Sequence, residues 1–388
     1  MMSKIKILYI IDEITDVTAG TERQLSLLLR NLDQDIFEPH LMTLRATEWL
    51  DSECYPCPIH NLEMGPVLSL SGFNKLTELR YFIADNNFQI VQTYFPDANV
   101  IGALAARQAG CKIIISTRRN TGFFYNSSLL MATKFANRHV SRFLANSELV
   151  VKAISEKEGI DPERFSVIYN GLEVDRFRFS EQDVRSARVF MGTAEHENLV
   201  GVVANLRPVK ALEVFLRAAA RISHTRDDIR FVIIGGGDET YAAELKRMAR
   251  ELSLGDNIKF LGAVGNPSSF IKNFDVGVLT SRAEGLSNTL MEYGALGVAS
   301  VATDVGGNSE IIRHGETGLL VPPDDPEKVA DAIDQLLADQ NKRERMGSNA
   351  ARAAWSKFNL NVTVKLHQAL YTKMYDQVVT DRELAEAE

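Results

Sequence analysis

Short apolar runs recur along this chain without polar alternation, each followed by a stretch of helical period, and that rhythm leaves few folds open. Ile5–Ile11 is the first such run; Ile, Leu and Tyr fill it as they fill a strand buried on both faces. A polar loop with Gly20 follows, then a helical period over 22–32. Further strands are predicted at 39–44, 90–93, 112–117, 142–146 and 165–168, and further helices at 74–86, 99–109, 129–140 and 148–158. Such alternation builds a parallel sheet covered by helices on both faces. From Asn170 to about Ser180 the chain mixes Asp175, Arg176 and Arg178 with few aliphatics, which reads as a crossing between domains. The rhythm then restarts, with strands predicted at 199–204, 229–234, 258–261, 276–279 and 300–303. Helices are predicted at 209–223, 241–252, 326–339 and 342–354. The expectation is an α/β chain of two Rossmann-like domains, 1–175 and 176–359, and 388 residues suit two cores better than one.

A formal net charge of −8 argues against a general nucleic-acid binder, whose face must be basic. Cys54, Cys57 and Cys111 make no disulfide framework and fit a reducing cytoplasm. The apolar run at 5–11 is closed at once by Asp12 and Glu13, too short and too acidic for a signal peptide. No later segment holds the roughly twenty apolar residues that a membrane helix needs, so a soluble or peripheral protein is expected.

The richest stretch runs from Arg282 to Val321. It reads Arg-Ala-Glu284-Gly285-Leu286-Ser287-Asn288-Thr289-Leu290-Met291-Glu292-Tyr293-Gly294, then Asp304-Val305-Gly306-Gly307-Asn308, then Thr317-Gly318-Leu319. Glu284 follows an apolar run ending in Thr280, where a strand stops. Glu292 lies one turn into a helix that opens near Ser287-Asn288. A helix start aims unpaired N–H groups outward, which suits an anion. Carboxylates before and behind that anion site are placed to grip hydroxyls on both sides of a phosphate, as a nucleotide-sugar demands.

This string resembles the donor site of the group 1, or family 4, retaining GT-B glycosyltransferases, which carry two glutamates separated by seven residues. The resemblance extends over nearly the whole chain. It implies two facing Rossmann-like domains around a central cleft, with a last helix, about 360–380, returning to the first domain; residues 381–388, as a chain end, are expected to be frayed. It implies that Glu284 contacts the transferred sugar, that Glu292 holds the ribose, and that Gly285, Leu286, Ser287, Asn288 and Thr289 meet the sugar and diphosphate. Arg207 and Lys210, in Leu-Arg-Pro-Val-Lys-Ala, stand where the family has its diphosphate-binding cations: a fork and a point charge. The family's next residue is usually Gly; here it is Ala211, a change that matters only if the position needs positive φ.

Gly235-Gly236-Gly237 and Leu261-Gly262-Ala263-Val264 resemble the turns beside the nucleotide and its base, and Gly236 and Val264 are carried over as donor contacts. In the first domain Gly20 and Thr21 stand in a loop where the family has two glycines over the donor phosphate; Ala19 replaces one. Many members carry a histidine near position 117 that meets the donor sugar. Here the segment is Ser116-Thr117-Arg118-Arg119-Asn120, and Arg118 and Arg119 are expected to take its place.

Three weaker signals are set aside. Asp33-Gln34-Asp35 reads as a solvated turn rather than a metal motif. Cys54 and Cys57 with His60 lack a fourth zinc ligand. The helix around Leu129–Arg138 can rest on a membrane, but such a helix more often packs on its own sheet. The resulting expectation is a metal-independent, cofactor-free, retaining glycosyltransferase, catalysed by Glu284, Arg207, Lys210, Arg118 and Arg119. Its donor is a nucleotide-sugar, UDP by family habit, and its acceptor a lipid-linked or polysaccharide hydroxyl in bacterial surface-glycan assembly. It is placed in the cytoplasm, with peripheral membrane contact open. An inactive donor-binding subunit, or an epimerase or hydrolase of the same fold, stays open beside it.

Overall fold

In the computed structural model the chain divides into two units, Met1–Gly171 with Asn361–Glu388, and Leu172–Leu360. Residues 4–14, 20–47, 55–67 and 69–387 are described. Each unit is built on one parallel sheet flanked by helices, as the uninterrupted apolar runs require.

The sheet of the first unit has strands β1 (Ile5–Ile11), β2 (Phe37–Thr43), β3 (Ile59–Asn61), β4 (Ile90–Tyr94), β5 (Ile113–Arg118), β6 (Arg142–Ala145) and β7 (Phe165–Val167), ordered β3-β2-β1-β4-β5-β6-β7. The strand order reverses between β1 and β4. The last helix, Leu360–Ala387, runs further than the frayed end expected from sequence. Its Tyr371 is fully buried and donates to Gln92 Oε1 at 2.7 Å, while Tyr9 OH lies 3.2 Å from the Tyr371 hydroxyl. Thr363 Oγ1 donates to the Tyr169 carbonyl at 3.1 Å. Buried phenols need such partners, and these bonds fix where the helix lies on the sheet.

The second unit contains β8 (Asn198–Val203), β9 (Ile229–Ile234), β10 (Ile258–Gly262), β11 (Val276–Leu279), β12 (Ser300–Thr303) and β13 (Leu319–Val321), ordered β10-β9-β8-β11-β12-β13. Its reversal falls between β8 and β11. Val200, Val202, Phe231 and Ile233 face helices Leu212–Ser223 and Pro326–Ala338. Leu199, Val232 and Ile234 face the other way, among Met191, Phe274, Tyr293 and Ile312. Both faces of the strands are therefore core.

Some elements depart from the sequence expectation. β3 and β13 span three residues each, too few to display a period. Helix Glu181–Met191 falls where none was predicted; it leaves Val189 and Phe190 exposed, which blurs its amphipathic pattern. The helix expected from 209 begins instead at Leu212, because a 3₁₀ turn Pro208–Lys210 and a left-handed Ala211 intervene. Asp33 Oδ1 accepts from Asp35 N at 2.9 Å on the exposed surface, the local bond of a solvated turn.

Candidate active site

At the carboxyl ends of β8 and β11 the strand order of the second unit reverses, and in open α/β sheets the crevice at such a point is where ligands bind. The chain leaving β8 first runs beside the glycine turn. Leu206 N donates to Gly236 O at 2.7 Å, Asp238 N to Leu206 O at 2.9 Å, and Gly235 N to Gly262 O at 2.8 Å. A Cβ on Gly235 would lie 1.9 Å from the Ala204 carbonyl oxygen, so glycine there is dictated by backbone approach. Val264 follows β10, half-buried against the core.

Arg207 comes next, exposed, with no side-chain partner among the described residues. Lys210 closes the 3₁₀ turn, and Ala211 follows at φ 48°, ψ 45°. This position does take positive φ, so the alanine pays roughly 1–2 kcal/mol that a glycine would not. Neighbours hold the turn in place. Thr280 Oγ1 lies 3.0 Å from the carbonyls of both Lys210 and Ala211. Arg282 donates from its backbone to Val209 O at 2.8 Å and from its guanidinium to Pro208 O at 3.0 Å. The same guanidinium pairs with Glu213 at 2.6 Å and Asp324 at 2.7 Å. Sequence reasoning quoted Arg282 without a role; here it ties the cation-bearing turn to the loop that carries Glu284.

Beyond β11, Lys210 Nζ lies 2.6 Å from Glu284 Oε1, and Ser281 Oγ donates to the same oxygen at 2.6 Å. The Glu284 side chain is 9% exposed, and its Oε2 has no partner among the described residues. Gly306 and Gly307 press on this loop: Gly307 N donates to Gly285 O at 2.8 Å, and a Cβ on Gly306 would lie 1.8 Å from Glu284 O.

Helix Asn288–Ala295 then opens, with Ser287 Oγ accepting from Leu290 N. Gly285, Leu286 and Ser287 are buried, and Thr289 Oγ1 donates to Val203 O at 3.1 Å. The N–H groups of the first helical turn point out of the helix start. Tyr293, fully buried, seats the helix over the strand reversal: its hydroxyl accepts from Val203 N at 2.9 Å and lies 3.4 Å from Val278 O. Gly277 makes room for that ring, since a Cβ there would come 2.6 Å from it. Glu292, 5% exposed, lies 3.9 Å from Arg176 Nη2. Arg176 was assigned only to the domain crossing, because its approach to Glu292 is not local.

In the first unit Gly20 and Thr21 are the opening residues of helix Gly20–Asn31; Ala19 lies outside the described residues. Arg118 departs from the expectation that it meets a ligand. It is 3% exposed, donating from Nε to Glu158 Oε1 and from Nη2 to Glu158 Oε2, both at 2.9 Å. Nη1 donates to Ser116 Oγ at 2.7 Å, and Nη2 also reaches Asn137 Oδ1 at 2.9 Å. Burial works to raise the Glu158 carboxyl. The Arg118 charge and bonds from Arg118, Tyr125 and Asn137 outweigh it and hold the group below its ordinary value. Arg118 is spent on the interior of its unit. Arg119 is different: its Nη2 bonds Asn170 Oδ1, and its buried Nε has no partner among the described residues. Burial pushes its guanidinium below the usual arginine range. Cys57 is free, while Cys54 lies outside the described residues. Among the described residues no three His, Cys, Asp or Glu side chains gather as metal ligands would.

Comparison with known proteins gives the family and the fold. Residues 18–176 match the model of Glycosyltransferase Family 4, and residues 184–353 that of Glycosyl transferases group 1. The chain belongs to this family of glycosyltransferases and has its GT-B fold. It is 27% identical over 305 residues to N-acetyl-alpha-D-glucosaminyl L-malate synthase of Bacillus anthracis, covering 76% of this chain and 77% of that one. It resembles HepE of Anabaena in complex with UDP (TM-score 0.83, 21% identity, 95% of this chain and 100% of that one). It also resembles sucrose-phosphate synthase of Thermosynechococcus elongatus (TM-score 0.82, 21% identity, 96% and 100%).

Proposed function

We propose that the chain moves a sugar from a UDP-sugar to an acceptor hydroxyl, with retention of anomeric configuration and without a metal. The observation that carries this reading is the convergence of Lys210, Glu284 and the opening of helix Asn288–Ala295 on one strand reversal. In the proposed reaction the bond from the anomeric carbon to the phosphate oxygen breaks, and a bond to the acceptor oxygen forms. The acceptor proton passes to the departing phosphate. Negative charge grows on that phosphate, and Arg207, Lys210 and the helix N–H groups are the preorganised positive partners. Their combined charge supplies what a metal supplies elsewhere. Glu284 presents Oε2 to the sugar hydroxyls while Lys210 and Ser281 hold Oε1. Glu292 takes the ribose. Arg119, rather than Arg118, is the first-unit cation left for substrate.

UDP is favoured because HepE has been solved with UDP and with UDP-glucose. A lipid-linked or polysaccharide acceptor, in surface-glycan assembly in the cytoplasm, completes the proposal. No helix among the described residues is long and apolar enough to cross a membrane.

The test pairs thermal shift with product formation. UDP at about 100 times its Kd stabilises by about 2.7 kcal/mol, a shift of several degrees. Glu292→Ala weakens that shift, and Lys210→Ala lowers kcat by about 10²–10³. No shift with UDP, GDP or ADP at millimolar concentration would sink the donor site. A shift without transfer to any acceptor would instead favour a donor-binding subunit.

A further inference from the structure

From Ala98 through Ser147 the chain has no Asp or Glu, yet it carries Arg107, Lys112, Arg118, Arg119, Lys134, Arg138 and Arg142. In a chain of net charge −8 this acid-free stretch is the exception. It also holds large exposed apolar side chains: Phe123 at 59%, Phe124 at 36%, Met131 at 70% and Phe135 at 52%. The rings of Phe123 and Phe124 stack edge to face, 5.5 Å apart.

Helix Ser127–Ala136 is amphipathic in the wrong sense for a helix that only covers its sheet. It buries Thr133 and Ala136 and turns Met131, Lys134 and Phe135 to solvent. Arg138 continues that face, its guanidinium 5.8 Å above the Phe135 ring. The alternative weighed from sequence, that the helix simply packs on its sheet, therefore leaves its largest apolar side chains unexplained.

We propose that this face docks on the surface of an anionic lipid bilayer. Phe123, Phe124, Met131 and Phe135 enter the interfacial layer, and Lys134 and Arg138 meet lipid phosphates. Charge complementarity selects the occupant. Cations without intervening acids want an anionic plane, and scattered large apolar side chains want a deformable apolar phase. The net negative charge of the chain disfavours a random approach to that surface, so this acid-free face is favoured. The aromatic loop follows directly from Arg118 at the end of β5, the end of an open sheet where ligands bind. A membrane-held acceptor would then arrive beside that end. The proposal rests on the surface of the first unit and not on the donor reading.

The experiment is co-sedimentation of the full chain with vesicles of phosphatidylcholine alone, or with about one third phosphatidylglycerol. Salt is varied from about 0.1 M to about 1 M, where the Debye length shrinks from about 10 to 3 Å. Binding is expected on the anionic vesicles and should weaken with salt. Lys134→Gln with Arg138→Gln lowers the partition coefficient about 30-fold, since each basic residue beside an anionic leaflet is worth about fivefold. Phe123→Ser with Phe135→Ser removes the binding that survives high salt. Both double variants keep the wild-type melting temperature and the UDP shift. No sedimentation with either vesicle, equal sedimentation with both, or binding indifferent to both double variants overturns the proposal.

Discussion

Gly306→Ala replaces a residue far from Glu284 in sequence with one that cannot coexist with it. Gly306 has φ 51°, and its new Cβ would lie 1.8 Å from the Glu284 carbonyl oxygen. The obstacle is backbone, so no side chain can swing aside, and the two segments must part by roughly 1.2 Å to reach tolerable contact. Left-handed geometry costs an alanine about 1–2 kcal/mol. Losing the Gly307–Gly285 bond adds about 1 kcal/mol, and overpacking about 1–3 kcal/mol. The stiffer unfolded chain returns about 0.4–1 kcal/mol. The net loss is about 2–5.5 kcal/mol, or roughly 4–20 °C in a unit of this size. Glu284 moves with its carbonyl, and a displacement of about 1 Å in a reacting group costs about 100-fold in rate. Gly315→Ala is the control: φ is 80°, but nothing lies within 4 Å of its Cβ, so only the left-handed cost of about 1 kcal/mol remains. Thermal melting and sugar transfer are measured on both variants. If they melt together and transfer equally, the argument that Gly306 shapes the Glu284 loop is wrong.

Two further perturbations follow from the first unit. Glu158→Leu leaves the buried Arg118 unpaired and should cost about 3–5 kcal/mol in chemical denaturation, whereas adding Arg118→Met should restore most of it; a loss below about 1 kcal/mol in the single variant would contradict an interior role for Arg118. Asp12, at the end of β1, accepts from Ala98 N at 2.7 Å, yet burial pushes its carboxyl up to about 7. A raised folded-state value means the folded chain binds the extra proton, so this group's contribution is complete below about 4 and is lost as pH rises through about 7. Asp12→Asn keeps an acceptor for Ala98 and should flatten the melting temperature between those limits; an unchanged pH profile would refute the assignment.

The legible parts of the molecule were those set by local chemistry. Ile5–Ile11, Ile229–Ile234 and Val276–Leu279 read as buried strands because each carries its apolar run within itself. Glu284 and the helix behind it were visible for the same reason, since a strand end, an N-cap serine and a carboxylate one turn on lie in the thirteen residues from Thr280 to Glu292. The three-residue strands β3 and β13 and a helix with an exposed Val189-Phe190 lacked enough period to be seen.

Sequence by itself determined the two α/β units, the strand-end placement of Lys210 and Glu284, and the family. Tertiary structure decided what those residues touch. Arg118 and Arg119 are adjacent and alike in sequence, but a glutamate 40 positions away takes Nε and Nη2 of the first, with Ser116 taking Nη1, while Nε of the second has no partner among the described residues. Ala211 carries no local sign that its φ is positive; Thr280, Tyr241 and Arg282 hold the turn around it. Gly306 is an ordinary loop glycine until the fold brings the Glu284 carbonyl against it. Hydrophobic period is written along a segment and survives being read alone. Pairing of charges and close approach of backbones depend on distances that exist only after the chain has closed on itself.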